Sequence, residues 1–249
     1  MKFGIFLCTV LALLSQGSEA ADFSVSPMSI ELEGGARSGQ IQVRNLDQQA
    51  IRFQVNGSDW SQDENGNNVY AESKTLIWFP RALELAPGES RIIRVGVRAT
   101  PALQEQAYII ALQEVPVGQV QAQNPRGAQV RLLLSVSVPV FVPPARPLPG
   151  GTVESVDLRD GKLEFVVANK GNLHFSFTDA KIVGLNADGT EKFTETVRGR
   201  TLLAAARQRV QVQIPTEKCL AVKNIAIILS MPDQSEIKHR MDVSRANCE

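Results

Sequence analysis

The sequence is poor in the residues that most catalytic and metal sites require. Its 249 residues include two histidines and three cysteines. Both histidines, His174 and His239, lie in the second half of the chain, so the first half has no histidine that could activate a serine or cysteine nucleophile. Neither a phosphate-binding glycine loop nor a dinucleotide-binding fingerprint is present. The sequence predicts a protein that is not an enzyme and needs no cofactor or metal, with both histidines in surface or packing roles.

An excess of charge of either sign is also lacking, since 26 lysine and arginine residues balance 26 aspartate and glutamate residues. Without a net field, neither nucleic acid nor an anionic membrane is an expected partner. The acidic segment Asp63 to Asn67 has the spacing with which a calcium loop begins, but Asn68 stands where the loop needs glycine and Lys74 where it needs glutamate. We interpret this segment as a polar hairpin tip.

The N-terminus carries an apolar run that is only of moderate length. This run, Phe3 to Leu14, follows Lys2 and precedes Ser18-Glu19-Ala20, which is the pattern of a secretory signal peptide with a small-residue cleavage site. It is well short of the roughly 20 residues that span a membrane. We expect export, cleavage after Ala20 and no membrane insertion.

Cleavage would remove Cys8 and leave two cysteines, Cys219 and Cys248. An exported protein with one pair of cysteines usually oxidises them to a disulfide. We therefore expect a Cys219–Cys248 bond, with two buried free thiols as the alternative.

Apolar residues recur at every second position along most of the chain, which is typical of half-buried antiparallel strands. The clearest examples are Ile41 and Val43, then Ile51, Phe53 and Val55, then Ile93, Val95 and Val97. The alternation slips at Pro27, where we expect the first strand to kink and change sheets. The proline-rich stretch from Pro143 to Gly151 cannot continue a strand. We predict an all-β protein of two immunoglobulin-like sandwiches, residues 21–143 and 152–249, joined by a stiff elbow at 144–151 that holds a defined angle.

The strand predicted from Val130 to Val142 is unusually long and apolar. Its even-numbered residues, which share one face of the strand, are all aliphatic: Val130, Leu132, Leu134, Val136, Val138 and Val140. Such a face packs on the strand's own core in most proteins. Pro139, however, favours a position at the edge of a sheet, where a long apolar strand is hazardous unless a partner covers it.

Three segments together resemble one known family, the periplasmic chaperones of bacterial pilus assembly, which are the PapD-like half of the chaperone/usher system. Trp78 to Val95 resembles that family's proline, apolar, Pro-Gly and Arg-Val segment, and Tyr108 to Pro116 resembles the strand that follows it. Asn169 to His174 is similar to the family's Asn-x-Gly-Asn-x-His turn in the second domain. The order and spacing of the three segments extend the resemblance over essentially the whole mature chain.

The resemblance implies a non-enzymatic chaperone that binds pilus or fimbrial subunits in the periplasm and delivers them to an outer-membrane usher. The strand donated to the subunit would be the one that carries Val130, Leu132, Leu134, Val136 and Val138.

This chain lacks the cationic pair with which most members of the family hold the subunit's C-terminal carboxylate. Ser29 or Ile30, and Pro139, stand at those positions, which leaves Arg94 and Arg131 as candidate anchors. The alternative hypothesis is a secreted structural or adhesive protein whose two sandwiches are complete.

Overall fold

The structure, a computed structural model, describes residues 22–33, 35–98, 102–116 and 132–249. The expected signal peptide therefore lies outside the described residues. The N-terminal domain contains strands β1 (Phe23–Ser26), β2 (Ile30–Glu31), β3 (Ser38–Asn45), β4 (Ile51–Gln62), β5 (Asn68–Glu72), β6 (Leu76–Phe79), β7 (Ala82–Leu85), β8 (Ser90–Val97), β9 (Gln106–Val115) and β10 (Ser135–Val142).

The C-terminal domain is also built almost entirely from strands. These are β11 (Gly151–Arg159), β12 (Lys162–Asn169), β13 (Phe175–Ser176), β14 (Asp179–Leu185), β15 (Glu191–Arg198), β16 (Thr201–Leu202), β17 (Arg207–Gln213), β18 (Asn224–Ser230) and β19 (Glu236–Asp242). A short helix, α1 (Thr216–Leu220), and a single 3-10 turn at Arg245–Asn247 complete it. The prediction of an all-β, two-domain architecture is confirmed.

In the N-terminal domain two sheets enclose one core. One sheet has the order β1-β3-β8-β6, and the other has the order β2-β10-β9-β4-β5, with β7 also paired to β4. The alternating residues expected to be internal are internal, since Ile41, Phe53 and Ile93 are fully buried. The predicted change of sheet at Pro27 is confirmed, because β1 pairs with β3 whereas β2 pairs with β10 in the opposite sheet.

The C-terminal domain has a separate core beneath the sheets β11-β12-β17 and β15-β14-β18-β19. Cys219 and Cys248 are bonded within it, with an S–S distance of 1.96 Å. Both sulfurs belong to buried residues, and the bond ties α1 to the C-terminal 3-10 turn. The expected disulfide is thus present.

A buried asparagine closes the same kind of corner in each domain. Asn45 ends β3, and its Nδ2 donates to the carbonyl oxygens of Gln49, Leu85 and Ala86 at 2.8, 3.1 and 3.2 Å. Its Oδ1 accepts from the backbone N of Asp47 at 2.9 Å. Every polar atom of this buried amide is therefore satisfied by backbone groups.

Asn169 ends β12 and repeats the arrangement. Its Nδ2 donates to the carbonyl oxygens of Leu173, Leu202 and Leu203 at 2.6, 3.2 and 2.9 Å, and its Oδ1 accepts from Gly171 N at 3.0 Å. In both corners the acceptors are the residue four positions on and two consecutive residues of a distant turn. The shared device indicates that the two domains are structural repeats of one sandwich plan.

We predict that Asn45→Ala destabilises the N-terminal domain by about 2 to 4 kcal/mol, because it leaves buried carbonyl groups without donors. Asn169→Ala should do the same to the C-terminal domain. Trp60 and Trp78 are the two tryptophans of the chain, and both lie in the N-terminal domain, so urea unfolding followed by tryptophan fluorescence reports chiefly on that domain. The fluorescence midpoint should fall for Asn45→Ala and stay near the wild-type value for Asn169→Ala. Exposed Asn56, changed to Ala, is the control, and an equal fall in all three variants would refute the assignment.

Candidate functional site

The two faces of β10 have different surroundings. Val138 and Val140 face the core of the N-terminal domain and are fully buried, and Val136 is half-buried beside them. Ser135 and Ser137 lie on the other face and are exposed. Toward its end, therefore, β10 belongs to its own sandwich, whereas its beginning is less enclosed.

Two hydrogen bonds establish which way the backbone groups of β10 point. The carbonyl of Leu134 accepts from Glu114 N at 2.8 Å, on the β9 side. The carbonyl of Phe141 accepts from Leu32 N at 2.8 Å, on the opposite side, beyond β2. Because successive residues of a strand direct their N–H and C=O groups to alternate sides, Ser135, Ser137 and Pro139 direct theirs away from β9.

That outer side of β10 is only partly covered. In the described part of the chain β2 pairs in parallel with β10 at Val140 and Phe141, and no described strand pairs with Ser135 to Pro139 on the same side. The position of Pro139 fits this geometry, since the nitrogen that lacks a hydrogen points outward, where no ladder bond is lost. The structure thus presents an open strand edge that ends at Pro139 and β2.

The regular strand is shorter than predicted. We expected a strand from Val130 to Val142, but β10 begins at Ser135. The physical reason is that Pro116 follows the last residue of β9, so the partner strand ends there and cannot donate further ladder bonds. Val130 and Arg131 lie outside the described residues.

The predicted donor side chains separate into two groups. Leu132 is 71% exposed, and Leu134 is only half-buried. Val138 was predicted to contact a partner, but its side chain is enclosed by the chain's own core. It is therefore not free to enter a partner. Leu132, Leu134 and Val136 are the predicted residues that remain accessible to different degrees.

Arg94, one of the two candidate anchors, lies on β8 in the other sheet, where it is paired with Gln40 and Phe79. The structure therefore does not bring Arg94 together with β10, which belongs to the opposite sheet of the sandwich.

The end of β10 is sealed against the C-terminal domain by an aromatic contact. The ring of Phe141 stacks on that of His174, with centroids 3.8 Å apart and planes 10° from parallel. Trp60 is also near Phe141, with its ring centroid 5.9 Å from that of Phe141. The open edge thus leads directly to the contact between the two domains.

A buried carboxylate completes this contact. One oxygen of Glu105, Oε2, accepts from the backbone N of His174 at 2.8 Å and lies 2.7 Å from Nδ1 of the same residue. The side chain of Glu105 is 4% exposed. A buried carboxylate beside an imidazole donor is far costlier to separate than a surface pair, so this contact resists movement of the domains.

The elbow is attached to the same turn of the C-terminal domain. Asn172 donates through Nδ2 to the carbonyl oxygens of Leu103 and Arg146, at 3.0 and 2.9 Å. Its Oδ1 accepts from Leu148 N at 2.7 Å, and its backbone N donates to Leu148 O at 2.9 Å.

The segment Asn169 to His174, noted in the sequence only as a family-like turn, therefore holds the elbow and the domain contact together. Sequence reasoning missed Glu105, which carries no recognisable motif, and assigned His174 no specific role.

Among the described residues, no helix has the length and apolar character needed to cross a bilayer. The same residues contain no group of three or more histidine, cysteine and acidic side chains placed to hold a metal ion.

Comparison with known proteins identifies a family for this fold. Residues 22–147 match the family described as pili and flagellar-assembly chaperones, PapD N-terminal domain. No curated protein sequence matches the chain.

Solved structures with the same fold cover nearly the whole chain. One belongs to the CsuC-CsuE chaperone-tip adhesion subunit complex of Acinetobacter baumannii, at 18% identity and a TM-score of 0.58, covering 88% of this chain and 98% of that one. Another is the CupB2 chaperone of Pseudomonas aeruginosa, at 11% identity and a TM-score of 0.53, with 88% and 100% covered. A third comes from the complex of SafA pilin with the SafB chaperone of Salmonella enterica, at 11% and 0.52, with 91% and 99% covered. The chain belongs to the family of pilus assembly chaperones.

Proposed function

We propose that this protein binds secreted pilus subunits in the periplasm by lending them the open edge of β10, and that it delivers them to an outer-membrane usher. The signal peptide would be removed after Ala20. The observation that carries the proposal is the outer edge from Ser135 to Pro139, which no described strand of the chain covers. Backbone pairing at such an edge supplies affinity without demanding a fixed partner sequence.

The edge limits where a partner strand can lie. Beyond Pro139 the outer side is taken by β2, through the hydrogen bond from Leu32 N to Phe141 O. A partner would therefore pair with the outward groups of Ser135 and Ser137 and end near Pro139. Toward the other end it would run along Leu132 to Leu134, which lie outside the regular strand.

Specific contacts would come from the aliphatic side chains of this same stretch. Leu132 and Leu134 leave their apolar surface partly or largely outside the sandwich core, so burying it in a subunit's groove would add to binding rather than to folding. Burial of one leucine side chain contributes about 2 to 3 kcal/mol. That corresponds to roughly two orders of magnitude in affinity for a leucine as exposed as Leu132, and to less for the half-buried Leu134.

Replacing Ser137 by proline tests the backbone contact. Its N–H points outward, so Ser137→Pro keeps the ladder with β9 and removes one donor from the open edge while placing a ring there. We expect recovery of a co-expressed pilus subunit to fall at least about tenfold, with the melting temperature of the free protein nearly unchanged. Ser137→Ala retains the N–H and is the matched control, which should recover the subunit normally. Normal recovery with Ser137→Pro would exclude strand addition at this edge.

Replacing single aliphatic residues separates binding from folding. Leu132→Ala should reduce subunit recovery and leave the melting temperature of the free protein close to the wild-type value. Val138→Ala removes buried methyl groups from the domain's own core and should destabilise the free protein by about 1 to 2 kcal/mol. If Leu132→Ala also lowers the melting temperature strongly, its side chain serves the protein's own fold. In that case the alternative of a structural or adhesive protein with complete sandwiches is favoured.

A further inference from the structure

A crevice of about 630 Å³ lies between the two domains, lined by Trp60, Gln62 and Glu105 from the N-terminal domain and by the segment 203–207 of the C-terminal domain. Domains joined by a sparse interface move relative to each other unless specific contacts prevent it. The angle between the domains must therefore depend on discrete attachments, of which Glu105 with His174 is one.

Gln62, the last residue of β4, forms a second attachment. Its Nε2 donates to the carbonyl of Thr201 at 3.0 Å, and its Oε1 accepts from the backbone N of Leu203 at 2.9 Å. The side-chain amide thus satisfies one donor and one acceptor of the segment that contains β16. It contacts this segment as a residue of a neighbouring strand would, although it belongs to the other domain.

The hairpin tip that follows Gln62 is rigid and touches the C-terminal domain. Asp63 Oδ1 accepts from the backbone N of Asn65 and Asn67, at 2.9 and 2.8 Å, and Oδ2 accepts from Asn67 Nδ2 at 3.0 Å. These hydrogen bonds, that from the Asn67 side chain foremost, lower the pKa of the Asp63 carboxyl. Gly66 has φ +78°, and a Cβ there would lie 2.7 Å from the carbonyl oxygen of Arg207.

We propose that the β4–β5 hairpin is an inter-domain strut and that Gln62 is the positioning residue that fixes the angle between the domains. The consequence of this strut for subunit binding rests on the proposed function, since the angle between the domains determines the space in front of the open edge of β10. The angle itself is a property of the free protein and is measured without a partner.

The test is a distance distribution between two spin labels, one in each domain. Labels at Ser24→Cys and Lys192→Cys, both exposed positions, are measured by double electron–electron resonance with the native disulfide intact. The parent protein should give a narrow distribution. Gln62→Ala should broaden it by about twofold, as expected for domains released from one of their attachments. Gln62→Glu keeps the acceptor for Leu203 and loses the donor to Thr201, so it should give an intermediate width.

Gln42→Ala is the matched control, because Gln42 is an exposed glutamine on β3 and its distribution should equal that of the parent. The far-UV circular dichroism spectrum confirms that both domains of each variant are folded. An unchanged width in folded Gln62→Ala, or equal broadening in Gln42→Ala, would overturn the strut. Broadening in Gln62→Ala with undiminished subunit recovery would establish the strut and disprove its link to binding, while the Ser137 variants decide separately on the proposed function.

Discussion

The arrangement of this protein depends on one constraint: the backbone N–H and C=O groups at the edge of a sheet need hydrogen-bond partners. β10 satisfies that need on one side through β9 along its whole length. On the other side, among the described residues, only Val140 and Phe141 are paired, by the short strand β2. Natural sheets usually blunt such an edge with charges, bulges or a covering loop. Here Pro139 blunts one position, and the neighbouring serines leave the backbone accessible.

The rest of the fold places this edge against a second domain. β10 ends at Val142, and the elbow that follows is bound by the turn from Asn169 to Asn172 rather than held by its prolines alone. Phe141, near the end of the strand, is stacked on His174, and Glu105, which immediately precedes β9, contacts the same histidine. A subunit paired with the edge would therefore meet the C-terminal domain at a set position.

The fold was largely predictable because it follows from local patterns. Period-two alternation located several strands of the N-terminal domain, Pro27 marked the change of sheet, and the cysteine count indicated the disulfide. The inter-domain contacts were not predictable, because Gln62, Glu105 and His174 are single residues whose partners lie far away in sequence. The length of the donated strand was overestimated, since apolar parity continues through Leu132 and Leu134 although Pro116 ends the strand that would pair with them. The alternation of apolar residues also does not distinguish Val138 from Leu132. Val138 faces the protein's own core, whereas Leu132 does not.

The central claim is tested most directly by amide hydrogen exchange of β10, measured residue by residue in the free protein and in complex with a pilus subunit. The amides of Val136 and Val138 point toward β9 and should be protected in both states. The amides of Ser135 and Ser137 point outward, so they should exchange quickly in the free protein and become protected only in the complex. Protection of Ser135 and Ser137 in the free protein, or fast exchange of both in the complex, would contradict the account.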